Sequence, residues 1–230
     1  LLPYASMVAP GIMLNKDGAL MSAWFYTGND ITSSTRSERL YIAAQANAVL
    51  STLKNGWAIQ TDSIRLSTSN YSEREASFFP DDISRLIDEE RRFQFASDNT
   101  YYESKHVIIL SYLPPEKTKS KFTDLLISGK KDIESNSLEK NIKFFESKTQ
   151  EFMDGLRNLF TIERMLPTLS EDEYGQEHVE EKILQYIRYA ISGEYYPVHL
   201  PEIPMYMDLF LGGHEYYHGV LPKLNDQFIQ

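Results

Sequence analysis

Residues 12–26 read IMLNKDGALMSAWFY, and this stretch decides the fold. Ile12-Met13-Leu14 runs into Asn15-Lys16-Asp17-Gly18, and a second apolar run follows from Ala19 to Tyr26. An Asp-Gly pair between two apolar runs is a hairpin signal, because Gly accepts the positive φ that a tight turn requires. Residues 1–10 (LLPYASMVAP) carry two prolines and read as an extended lead-in packed on the body.

Downstream, Thr35 and Glu38 have capping-box spacing. Leu40, Ala43, Ala44, Asn47, Leu50 and Leu53 then follow helical periodicity, and Gly56 is placed to end that helix in the left-handed conformation. Asn47 on this apolar face would need a hydrogen-bond partner if buried, most simply the backbone of a neighbouring strand. Trp57–Thr68 reads as a strand. Pro80 opens a helix over about 81–98, with Ile83, Leu86, Ile87 and Phe93 as its buried stripe and Asp88, Glu89, Glu90, Arg91 and Arg92 as a solvated charged face. Tyr101–Leu113 is rich in β-formers and stops at Pro114-Pro115.

Residues 116–136 are polar and rich in Lys and Ser around the short apolar patch Phe122–Ile127. Leu138, Ile142, Phe145, Thr149, Phe152, Leu156 and Leu159 then share one helix face, and the helix is expected to run on to just before Pro167. Glu173–Ile191 gives a further helix ended by Gly193, and Phe228-Ile229 reads as a strand. The expected architecture is α+β: a mixed or largely antiparallel sheet with flanking helices, followed by a more helical second half. The expected organisation is a β-rich α/β subdomain at 1–115, a polar connector at 116–136 and a mainly helical region at 137–230.

The 230 residues suffice for a real core, and aromatic residues, 13% of the chain, demand burial. The net charge of −10 argues against direct nucleic-acid binding, which needs a field of Lys and Arg. The densest basic cluster, Lys117, Lys119, Lys121, Lys130 and Lys131, reads as a solvated loop. With no cysteine, disulfides, thiolate metal sites and a Cys nucleophile are all excluded. No apolar run approaches the ~18–20 residues of a membrane span. The start at Leu1 without Met suggests a piece of something longer.

Motifs for chemistry are sparse. Ser128-Gly129-Lys130-Lys131 fails as a phosphate-binding loop, because position 124 is Asp124 rather than Gly and no hydroxyl follows the Lys. His214-Glu215-Tyr216-Tyr217-His218 matches a zinc-hydrolase signature, in which two His one helical turn apart bind the metal and the Glu acts as base. Gly212-Gly213 before it, and Gly219 and Pro222 after it, oppose a rigid helix. His106, His178 and His199 have no ligand-like spacing to it. The plainer reading is a Tyr-rich surface turn meeting a partner or a neighbouring domain. No catalytic, cofactor-binding or metal residue is therefore assigned. A zinc-dependent hydrolase using His214, Glu215 and His218, and a free-standing interaction scaffold, stand as the alternatives to the reading below.

An ordered set of segments carries a family resemblance. It comprises Leu2-Pro3-Tyr4 through Val8-Ala9-Pro10-Gly11, Leu14–Gly18, Thr27-Gly28-Asn29-Asp30 and Asn47 through Gly56-Trp57. It continues with Phe79-Pro80-Asp81, Leu86–Arg92, Tyr102-Glu103-Ser104, Leu110–Pro115 and Leu200–Asp208. Together these resemble the N-terminal domain of the CagE/TrbE/VirB family of type IV secretion ATPases. Residues 116–170 carry little of it, and Asn29 stands where the family often has Pro. The resemblance implies a non-catalytic docking and assembly domain, with no cofactor of its own, in a motor that powers pilus assembly and conjugal transfer of DNA or protein. ATP and Mg would bind a C-terminal ATPase domain beyond this chain. Implied partners are inner-membrane subunits of the machine, that ATPase domain, and further copies in a hexamer. The implied location is cytoplasmic, peripheral at the bacterial inner membrane. Tyr195, Tyr196, Tyr216 and Tyr217 suit interfaces or internal packing equally.

Overall fold

A computed structural model describes residues 2–29, 31–67, 71–72, 74–97, 102–115, 135–171, 175, 177–193, 195–200, 207–212, 216–217, 223–224 and 227–228. The chain forms two compact units, Leu1–Thr61 with Val107–Gln230, and Asp62–His106.

The larger unit opens with an antiparallel meander of β1 (Tyr4–Ala9), β2 (Ile12–Asn15) and β3 (Leu20–Gly28). The lead-in is thus itself a strand. The predicted hairpin is present: Gly18 has φ +85 and donates its N–H to the Asn15 carbonyl (2.9 Å), while Asp17 Oδ1 accepts from Ala19 N–H (3.0 Å). Gly11 turns β1 into β2 at φ +67, where a Cβ would stand 2.6 Å from the Met165 carbonyl oxygen.

The main sheet has the order β1-β2-β3-β5-β4, with β4 at Trp57–Ser67 and β5 at Tyr102–Tyr112. A sixth strand, β6 (Phe160–Arg164), pairs antiparallel with the far end of β3, from Trp24↔Arg164 to Gly28↔Phe160. The fold is α+β, with helices flanking this largely antiparallel sheet.

Helix α1 (Arg36–Leu50) starts at the predicted capping box: Glu38 N–H donates to Thr35 Oγ1 (3.3 Å) and Thr35 N–H to Glu38 Oε2 (2.7 Å). Its packed face is not the one expected. Ile42, Ala46, Val49 and, just beyond the helix, Leu53 meet the core, whereas Leu40 and Leu50 are exposed. Both faces are apolar, so periodicity alone could not choose between them. Asn47 is exposed and needs no buried partner. The helix closes at Ser51 in right-handed geometry. Gly56, at φ +90, serves β5 instead: a Cβ there would lie 2.7 Å from the Leu113 carbonyl oxygen, and Leu113 N–H donates to Gly56 O at 2.7 Å.

Among the described residues, two clusters carry the core of the main sheet. One gathers Trp24, Ile108, Leu110, Phe152, Met153, Leu156 and Leu159; the other gathers Ile12, Leu14, Leu20 and Phe145. Both draw on α3 (Ser135–Leu156), whose predicted face is buried at Phe145, Thr149, Phe152 and Leu156. The Thr149 hydroxyl is satisfied by the Phe145 carbonyl at 2.9 Å. The helix stops at Leu156 rather than before Pro167, because the β-prone Phe160-Thr161-Ile162 alternates partly buried and exposed and joins β3.

The expected division at 116–136 is not where the compact units separate. Residues 116–134 lie outside the described residues, but α3 and β6 pack with 1–61. Nor is the second half mainly helical at its centre. β7 (Thr168–Glu171) and β8 (Glu177–Glu180) form a separate antiparallel pair, so the helix expected from Glu173 begins only at α4 (Lys182–Ser192). Gly193 ends it at φ +75, as predicted. The chain then returns beside β8, with Glu181 N–H donating to Val198 O (3.0 Å) and Glu180 bridging His199. Helix α5 (Met207–Gly212) buries Met207 and Leu211, and the Arg188 guanidinium ties it to α4 through the Leu211 carbonyl. Three short strands, β9 (Tyr216–Tyr217), β10 (Lys223–Leu224) and β11 (Gln227–Phe228), follow in antiparallel order. Ile229, expected to continue the last strand, lies outside the described residues.

The smaller unit holds the end of β4, a 3-10 turn at Arg74–Ala76, helix α2 (Asp82–Ser97) and the start of β5.

Candidate functional site

Helix α2 inverts the usual arrangement. Its inward residue is Asp88, 8% exposed, which accepts from the Tyr71 hydroxyl (2.6 Å) and from Arg92 Nη2 (2.7 Å). The Arg92 guanidinium also donates to the Ser72 carbonyl (3.0 Å) and lies 5.6 Å from the Tyr71 ring centre. The hydrogen bond to Asp88 raises the pKa of the Tyr71 hydroxyl. The charge run thus contains one buried acid rather than a wholly solvated face. The predicted buried stripe points outward: Ile83 is 72% exposed, Leu86 67%, Ile87 51% and Phe93 67%. Scattered exposed apolar residues are ordinary; a row of four along one helix is the kind of patch that interaction sites carry.

Two further apolar surfaces lie on the larger unit. Leu40, Tyr41 and Leu50 are exposed on α1. Beside them a cleft of about 480 Å³ is lined by Asn29, Ile31, Ser34, Ser37, Glu38, Tyr41 and Ile42. It sits at a helix N-terminus, but Glu38 already places a carboxylate there, held below its usual pKa by the hydrogen bonds with Thr35. A bound phosphate would meet that negative charge. On the β7–β8 pair, Leu169 and Val179 face each other in register and both are exposed.

Perturbed ionisable groups are a second mark of a functional site. Glu181 is 3% exposed, its Oε2 has no hydrogen-bond partner among the described residues, and burial pushes its pKa up to about 7. The Arg164 guanidinium lies 5.9 Å from the Trp24 ring centre, with Nε and Nη2 buried and without hydrogen-bond partners among the described residues. Burial lowers its pKa, against the pull of Glu146.

Histidines 178 and 199, unrelated in sequence spacing, come within 5.0 Å between ring centres because 198–200 returns along β8. Among the described residues no group of three or more His, Asp or Glu could hold a metal. His214, Glu215 and His218 lie outside the described residues, as do Asp124, Ser128, Gly129 and the Lys117–Lys131 cluster. Tyr195 is half-buried and packs edge-on against Tyr189 at 5.9 Å, whereas Tyr196 is exposed and its hydroxyl accepts from Arg188 Nε at 2.6 Å. Tyr216 and Tyr217 form β9. No helix among the described residues is long and apolar enough to cross a membrane.

What the sequence missed was the outward face of α2. The sign was available: Glu90 falls in the middle of the Ile83–Phe93 stripe, an expensive residue to bury.

Comparison with known proteins supplies the context for these surfaces. Residues 11–120 match the family described as the N-terminal domain of the type IV secretion system ATPase VirB4/TrbE. The chain is 37% identical to the conjugal transfer protein TrbE of Rhizobium radiobacter over its whole length, which is 28% of that protein. It is 42% identical over 130 residues to the first of two segments of the probable conjugal transfer protein TrbE of Sinorhizobium fredii (strain NBRC 101917 / NGR234), covering 56% of this chain and 87% of that segment. To the second segment from the same strain it is 36% identical over 87 residues, 37% of this chain and 13% of that segment. The chain spans about a quarter of the length of the Rhizobium radiobacter protein. This chain belongs to the VirB4/TrbE family of type IV secretion ATPases and corresponds to the N-terminal region of its members.

Proposed function

We propose that this chain is the docking and assembly region of a conjugal transfer ATPase, seating the motor on inner-membrane subunits of the secretion machine while ATP and Mg bind elsewhere in the complete protein. The observation that carries the reading is the set of exposed apolar surfaces on α1, α2 and the β7–β8 pair, in a chain whose family serves a multi-subunit machine. Large exposed apolar surface is retained where a partner covers it. The negative charge favours a protein partner over DNA.

The test is removal of residues 1–230 from the complete gene product. The shortened protein is expected to keep ATP hydrolysis in solution and to lose conjugal transfer in a mating assay. Transfer at the normal frequency without these residues would sink the docking role.

A further inference from the structure

We infer that the outward face of α2 binds a helix of another protein that presents an apolar stripe with a Lys or Arg at its centre, and that Glu90 reads that cation. The inference rests on the docking reading and names the chemistry of the partner.

At 100° per residue, Ile83, Leu86, Ile87 and Phe93 fall in a sector of about 120° over three turns. Together they expose on the order of 500 Å² of mostly apolar surface, the size of patch that marks an interaction site. The helix cannot roll to hide it, because Asp88, Arg92 and Tyr71 fix the polar side inward. An ordered helix with a fixed apolar stripe suits side-by-side packing of a second helix, read at i, i+3, i+4 and i+7.

Charge selects the occupant. Glu90 sits at the centre of the stripe and is met within its helix by the neutral amide of Gln94 at 3.4 Å. Asp82 and Glu89, which border the stripe on one side, are engaged by Arg85 and Arg74; Arg91 borders the other. Once a partner covers Glu90, its carboxylate leaves water, which is unfavourable unless a cation is brought to it. A second copy of this chain, docked about a two-fold axis, brings another Glu90 to the same patch. Residues 62–106 carry ten acidic against six basic residues, which also opposes docking on an anionic membrane.

The experiment places a photo-crosslinking amino acid at Leu86 of the complete protein, in cells carrying the transfer machine, and identifies the adduct by mass spectrometry. Leu86 is exposed, so the replacement leaves folding intact, and an unchanged melting curve checks this. The expected adduct is with a helix of another subunit of the machine, with Lys or Arg within a turn of the attachment point. Glu90→Lys lowers its yield about tenfold or more, and reversing the partner's charge restores it. An adduct to a second copy, to lipid or within the same chain, an adduct indifferent to Glu90→Lys, or no adduct at all overturns the inference. Probes at Leu40 on α1 and Leu169 on β7 separate the two levels. Machine adducts from those with none from Leu86 end this inference and leave the docking role standing; none from any position ends both.

Discussion

Trp57, the first residue of β4, lies flat on Phe145 in the middle of α3, with ring centres 5.6 Å apart and planes within 9°. Tyr112 closes on the same indole at 4.8 Å. These two contacts tie residues 57, 112 and 145 into one core. Phe145→Ala is expected to destabilise the larger unit by roughly 3–5 kcal/mol, the cost of a vacated aromatic core site. Phe144→Ala, at a residue 42% exposed, should cost clearly less. Urea unfolding followed by Trp fluorescence measures both, and equal losses would contradict this packing.

Asp88 is the buried hub of the smaller unit. Asp88→Ala leaves Arg92 and the Tyr71 hydroxyl without their shared acceptor, at an expected cost of about 2–3 kcal/mol. Hydrogen exchange should show the lost protection in α2 and not in α3. Uniform loss across both helices would argue against two separately stabilised units.

Glu181 gives a pH dependence with a definite sign. Burial raises its folded-state pKa to about 7, from an ordinary carboxylate value in the unfolded chain. Between those two values the folded state holds a proton that the unfolded state has released, so stability falls as pH rises through this window and then levels off. The drop should be on the order of 3 kcal/mol. Glu181→Gln should flatten the profile and be the more stable form above pH 7. An unchanged slope in the variant would assign the pH dependence to another group.

Gly56 takes a left-handed conformation under the Leu113 carbonyl. Gly56→Ala combines unfavourable φ with a 2.7 Å clash and should cost roughly 2 kcal/mol. Thermal melting checks it; a neutral result would mean that the β5 end relaxes freely.

Much of this molecule was legible in the sequence. The Asp17-Gly18 hairpin, the Thr35–Glu38 box, the α3 stripe and the Gly193 stop are local signals with local causes, and each stands where it was read. The failures share one physical reason: periodicity finds an apolar face but does not say what covers it. On α1 two apolar faces competed, and Val49 rather than Leu50 met the core, against Gly155 of α3. On α2 the stripe was found and its direction reversed, because the Tyr71–Asp88–Arg92 network joins residues up to 21 positions apart. Phe160–Arg164 reads as helix because its pairing partner, β3, lies far upstream in the chain, whereas the partner of Glu177–Glu180 is the adjacent strand β7, a local pairing that the helical periodicity masks. The one sharp motif, His214 to His218, lies outside the described residues, and the candidate surfaces come from exposure.

Membrane fractionation tests whether this chain seats a motor on its machine. Cells expressing the membrane subunits would carry the complete protein or the same protein lacking residues 1–230, and the share of each in the inner-membrane fraction would be measured. The complete protein is expected to be retained there and released when the membrane subunits are omitted, while the shortened form stays in the soluble fraction throughout. Equal retention of both forms would contradict the docking role.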